Sequence, residues 1–182
     1  MTKGNILVLG AGALQIPLIN KVIEKGYNPV VVSLHSDEPG MQMVKDTIVA
    51  DFVEEELMLQ YSRQYDIVGI VTDQTDLPVR TVAYVSEKMG LPGIGYETAC
   101  LFTDKFKMRE KCKELGIKTL EYALVDSLEA ARSFYKNIGK DIIIKPLHNQ
   151  GSKGVCKVTT LAELEEKYGE AERYSQEDKI LL

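Results

Sequence analysis

The sequence predicts an α/β chain, with a parallel, doubly wound sheet in its first half and a smaller α+β subdomain in its second. Four apolar runs, Asn5–Leu9, Pro29–Ser33, Thr47–Ala50 and Asp66–Thr72, read as strands. Stretches with helical spacing lie between them, and such alternation implies parallel strands joined by helices. Beyond Gly90-Leu-Pro-Gly93 the pattern changes to a charged helix, strands of mixed polarity and a loop rich in glycine. The expected organisation is 1–95 as a sheet domain, 96–117 as a linking helix and 118–182 as the smaller subdomain.

Asn5–Leu9 is continuously apolar, as a strand buried on both faces must be. Gly10-Ala-Gly12 turns the chain into a helix over Ala13 to Lys25, with Pro17 near its start and Gly26 as its stop. Helices are expected at roughly Gly40–Lys45, Glu54–Gln64 and Leu77–Met89. Thr103 is the expected N-cap of an amphipathic helix that Gly116 ends. Thr119–Val125 reads as a strand, and Ser127 as the cap of a helix reaching Tyr135. Asp141–Lys145 and Val155–Val158 are strands, and Thr160 with Glu163 has the spacing of a capping box. A last strand begins at Lys179.

The 182 residues suffice for one large domain or two small ones. With 45% apolar and 27% charged residues the composition is that of an ordinary globular protein. A net charge of −5 gives no sign of a nucleic-acid surface. Cys100, Cys112 and Cys156 show no metal-ligand spacing and read as reduced thiols. His35 and His148 are too few for a multi-histidine metal centre and read as surface or loop residues. The run at Ile6–Leu9 is far too short to span a membrane, and a cytoplasmic location is expected.

Three places could carry chemistry. Gly10-Ala-Gly12, between strand and helix, can aim backbone N–H groups at an anion. Gln15 stands where a dinucleotide fingerprint needs its third glycine, which disfavours nicotinamide. A tight turn that merely needs glycine, or a seat for the anionic end of a substrate, both remain open. Thr72-Asp73-Gln-Thr75-Asp76 follows the fourth strand, where open α/β sheets bind ligands. Asp73 and Thr75 are candidate substrate contacts, and Thr75 or Asp76 is equally a candidate helix cap. The third place is Lys145-Pro146 at the end of a strand, followed by Gln150-Gly151-Ser152-Lys153-Gly154. A lysine in an apolar strand needs an anionic partner or a route to solvent. Glycines in the loop allow a close approach to phosphates. The same residues also suit a plain hairpin with a snorkelling lysine. Lys105, one residue after Asp104, is a cation in the first turn of its helix, a mildly unfavourable place for one, though read alone it suits a solvated surface lysine better than a functional one.

Taken together, these elements resemble the ATP-grasp superfamily along essentially the whole chain. The resemblance rests on Ile6–Gly12, Thr103-Asp-Lys105-Phe-Lys-Met-Arg109, Leu115-Gly-Ile117, Ile144-Lys145-Pro146 and Gln150-Gly-Ser-Lys-Gly-Val155. It implies a Rossmann-like domain followed by an ATP-grasp lid, closest in look to carbamoyl-phosphate-synthase-like and biotin-carboxylase-like members. It further implies that Lys105, Lys145, Gln150, Gly151, Ser152, Lys153 and Gly154 contact ATP, while Gly10, Gly12, Asp73 and Thr75 stay the substrate candidates that their places after the strands suggest. The implied reaction activates a small carboxylate as an acylphosphate, which an amine or thiol attacks, with Mg²⁺ bridging the phosphates. The family's adenine hinge and its Mg²⁺ ligands have no counterpart before Leu182. On this reading the 182 residues are the front part of a ligase, inactive alone and weak in binding ATP. A non-catalytic nucleotide-binding module is the competing expectation, and a homodimer is left open.

Overall fold

The computed structural model describes residues 2–147, 153–175 and 179–182. The chain forms two compact units, Met1–Cys100 and Leu101–Leu182. In the first, β1 (Asn5–Leu9), β2 (Asn28–Ser33), β3 (Asp46–Val49) and β4 (Ile67–Val71) make one sheet in the order β3-β2-β1-β4. All its pairings are parallel, with Leu7 opposite Val30 on one side and Ile70 on the other. The continuous apolar run of β1 now has its reason. Leu7 and Leu9 enter a core with Val30, Val32, Met58 and Val85. Val8 enters another with Ile19, Val22, Val31 and Met41. Period-two alternation sends successive side chains to opposite faces, and helices cover both. Helix α1 (Ile16–Glu24) supplies Ile19 and Val22 to one face. Helices α2 (Glu55–Gln64) and α3 (Val79–Met89) supply Met58 and Val85 to the other.

The second unit carries α5 (Lys105–Glu114), β5 (Leu124–Val125), α6 (Leu128–Ile138), β6 (Ile142–Pro146), β7 (Cys156–Val158), α7 (Leu161–Arg173) and β8 (Ile180–Leu181). Its sheet is antiparallel, in the order β5-β8-β6-β7. Ile142, Ile144 and Val158 pack with Ala131 of α6 and with Leu164, Tyr168 and Ala171 of α7. The expected fold class, parallel α/β followed by a small α+β subdomain, is the one observed.

Several boundaries differ from the sequence reading. The first helix is split: Ala13–Gln15 is a 3-10 turn, and α1 begins at Ile16 with Pro17 in its first turn, where a missing N–H costs nothing. Gly40–Lys45 shrinks to a 3-10 turn at Met41–Met43. The linking helix expected over 96–117 is two helices, α4 (Tyr96–Thr103), which buries only Ala99 fully, and α5. The 103–116 helix starts at Lys105, with Asp104 rather than Thr103 as its cap. The strand foreseen over Thr119–Val125 is confined to Leu124–Val125, because Leu120 is 77% exposed. Neither Thr75 nor Asp76 is the side-chain cap of α3; its N-cap position is Pro78, without a side-chain bond. Ser127 does cap α6, accepting from the Ala130 N–H. Thr160 caps α7 by accepting from the Glu163 N–H, while the Glu163 carboxylate reaches back to the Thr159 N–H at 2.7 Å.

Candidate functional site

Helix α5 begins at a buried carboxylate. Asp104 is 5% exposed, and its Oδ1 accepts from the N–H groups of Phe106 at 2.9 Å and Lys107 at 3.0 Å. This satisfies two of the orphan donors of the first turn and opposes the helix dipole with a negative charge. The neighbouring cation, Lys105, is thereby accommodated. Its Nζ donates to the Leu147 carbonyl at 2.9 Å, which ties the start of α5 to the segment just past β6.

Strand β6 alternates between two faces. Ile142 and Ile144 are buried in the core, whereas Ile143 is 48% exposed and Lys145 shares its face. Lys145 is half-buried. Burial lowers its pKa first, and the positive charges of Arg109 and Lys105 lower it further. Three cations therefore converge: Lys105 and Arg109, one helical turn apart on α5, and Lys145 on β6. No ion pair among the described residues includes Arg109 or Lys145. Half-desolvated Lys145, with Arg109 and Lys105 acting on it, suits an anion with several oxygens, such as a polyphosphate.

Gln150, Gly151 and Ser152 lie outside the described residues. Lys153 is exposed. Gly154 is buried at φ +68°, and a Cβ there would stand 2.9 Å from Tyr174 Cδ2 and 3.0 Å from Pro146 Cγ. Close packing against Pro146 and a left-handed backbone both require glycine at this position.

In the first unit, Gly10 has φ +106° and its N–H donates to the Val32 carbonyl at 2.9 Å. The Gln15 side chain folds under the turn. Its Cγ lies 3.3 Å from where a Gly10 Cβ would be, and its Nε2 donates to the Asp73 carbonyl at 3.1 Å. Gln15, read from sequence as a missing glycine, is thus a buried strut between the turn and the end of β4. Gly12 faces Gln15 Oε1 and the Glu38 carboxylate, at 3.0 and 3.3 Å from its notional Cβ. A carboxylate at that turn makes it a poor seat for a pyrophosphate. The Asp73 carboxyl has one oxygen, Oδ1, buried without a hydrogen-bond partner, and burial raises its pKa. Thr75 Oγ1 accepts from the Leu77 N–H at 3.4 Å. Thr72, not singled out individually from sequence, anchors the region by donating to the Leu9 carbonyl at 2.9 Å. Gly40 was also missed. Its N–H donates to the Ala11 carbonyl at 2.7 Å, and a Cβ there would collide with the same oxygen. Nothing in the local sequence marks it, since the contact joins distant segments.

An open groove of about 580 Å³ borders another stripe of α5, lined by Phe106, Glu110, Tyr122, Phe134 and Ile138 among others. None of Lys105, Lys145 and Lys153 lines it, so the groove and the cation cluster are separate features. Among the described residues no group of His, Cys, Asp or Glu is arranged to hold a metal, and no helix is long and apolar enough to cross a membrane.

No family model matches the chain. It is 29% identical over 123 residues to the alanine–anticapsin ligase of Bacillus subtilis, covering 66% of this chain and 26% of that protein. It is 28% identical over 162 residues to the formate-dependent phosphoribosylglycinamide formyltransferase of Bacteroides fragilis, covering 88% and 42%. The fold matches N5-carboxyaminoimidazole synthetase from Staphylococcus aureus complexed with ADP, with a TM-score of 0.79, 19% identity and coverage of 99% and 47%. The resemblance to the ATP-grasp superfamily is borne out. The fold also matches the biotin carboxylase domain of 2-oxoglutarate carboxylase from Hydrogenobacter thermophilus in complex with MgADP, ADP and bicarbonate, with a TM-score of 0.79 at 20% identity, covering 100% of this chain and 44% of that one. The chain spans less than half the length of these relatives.

Proposed function

We propose that the second unit binds the phosphates of ATP, through Lys105, Lys145 and the 150–154 loop, as part of an ATP-dependent carboxylate ligase. The observation that carries this reading is the convergence of Lys105 and Lys145, which the Lys105–Leu147 bond fixes in place. Lys145 is the chemical centre: its ammonium balances charge on the phosphates, and the anion in turn restores its lowered pKa. Lys153, which is exposed, adds a further positive charge. Bound ATP supplies the phosphoryl group that activates a small carboxylate for attack by an amine or thiol. Mg²⁺ comes with the triphosphate. In the same reading Gly10, Gly12, Asp73 and Thr75 face the substrate in the first unit. There the Asp73 oxygen that lacks a partner favours a donor, an amine or hydroxyl, over an anion.

Isothermal titration of the 182-residue chain with MgATP and MgADP tests the phosphate site. The expected result is weak but saturable binding, which Lys145→Ala lowers by about tenfold or more, the equivalent of one strong charge-assisted contact. A wild-type chain that binds neither nucleotide at millimolar concentration sinks the reading.

A further inference from the structure

We propose that Arg109 is a third phosphate-binding cation of this site, held in position by the ring of Tyr122 and deciding how strongly the site prefers a triphosphate to a monophosphate. The inference rests on the nucleotide reading above and adds to it a residue that the Lys105, Lys145 and loop assignment leaves out.

Helical spacing is the first observation. Arg109 follows Lys105 by one turn of α5, and residues i and i+4 project from the same helix face. Lys105 on that face reaches the Leu147 carbonyl at 2.9 Å, so the face looks onto the end of β6, where Lys145 stands. Arg109 is close enough to act on the Lys145 ammonium electrostatically, and it does so more strongly than Lys105. The second observation is the clamp. The Arg109 guanidinium lies 5.6 Å from the centre of the Tyr122 ring, inside cation–π range. Tyr122 is fixed in turn: its hydroxyl donates to Glu110, and its ring meets Phe106 edge-on at 6.0 Å. An arginine held by one ring face keeps its fork of N–H donors for a ligand and loses little rotamer freedom on binding. Arg109 and Lys145, like charges that enter no ion pair among the described residues, disfavour one another in the unliganded protein. They are reasonable where a polyanion is the usual occupant.

The number of cations sets the dependence on ligand charge. With three, each added phosphate gains more than it would with two, so losing Arg109 must hurt ATP more than AMP.

The test is titration of the full 182-residue chain with ATP, ADP and AMP at low and high salt. Arg109→Gln, which removes the charge and keeps a polar side chain, should weaken ATP binding about tenfold and AMP binding about twofold or less, and should flatten the salt dependence. Arg109→Lys should recover part of the ATP preference. Tyr122→Leu should reproduce part of the loss, and Tyr122→Phe should not, since the ring is retained. Wild-type-like ATP affinity and ATP-to-AMP preference in Arg109→Gln, with binding lost in Lys145→Ala, overturns the inference and leaves the nucleotide reading intact. Equal losses for ATP and AMP in Arg109→Gln also overturn it, because they mark a merely structural role. If the wild-type chain binds no nucleotide, both fall together.

Discussion

Lys145 stands between Ile144, which is fully buried, and the buried Pro146, with Arg109 and Lys105 pressing on its charge. Its pKa in the folded chain is below its ordinary value. The charged form therefore costs folding free energy at every pH below the folded value, and that cost fades as pH rises from there to the unfolded value. Two outcomes follow. Lys145→Met should raise the melting temperature of the unliganded chain slightly, the gain being screened by solvent, while weakening nucleotide binding about tenfold or more. The stability gain should vanish at alkaline pH, and differential scanning calorimetry at two pH values checks both. Nucleotide affinity of the wild type should fall with rising pH from below the ordinary lysine range, as titration across pH 7 to 10 would reveal. Gly154 is constrained by structure instead. Gly154→Ala places a methyl against Pro146 and Tyr174 at φ +68° and should destabilise the second unit by about 1–3 kcal/mol, read from denaturant midpoints.

The start of α5 shows what sequence can and cannot provide at the next scale. Thr103 and Asp104 are adjacent, both are good caps, and a one-residue choice decides where Lys105 points. Burial decides it: the carboxylate that reaches the Phe106 and Lys107 N–H groups is the one shielded from water. Asp104→Ala should cost about 1–2 kcal/mol and also loosen Lys105, weakening ATP binding. Asp104→Asn should retain most of the stability. Thermal melts together with nucleotide titration separate the two effects. Ser127 and Thr160 read as caps in the sequence although Asp126 and Thr159 precede them, and each accepts from the N–H three residues on, of Ala130 and of Glu163. The short β5 was not legible. Its polarity pattern runs from Thr119, but only Ala123 to Val125 find partners, on Leu182 and β8.

At the scale of the molecule, each unit has a core made from its own residues. Leu7 and Ile144 are fully buried in separate cores. Each Leu7→Ala or Ile144→Ala change should cost about 2–5 kcal/mol. Hydrogen exchange should show lost protection in β1, β2 and β4 for the first and in β6, β7 and β8 for the second. Loss spread equally over both sheets in either variant would contradict separate cores.

The sequence by itself determined the α/β class, the strands of the first sheet and the lysines of the candidate site. These depend on local period, on glycine and proline, and on residue types at short spacing. Only folding shows that Gln15 braces the glycine turn, that Gly40 must lack a side chain, and that the charge of Arg109 acts on Lys145. Each is an interaction between segments apart in the chain, where no periodicity records the partner and the two meet only in the folded state.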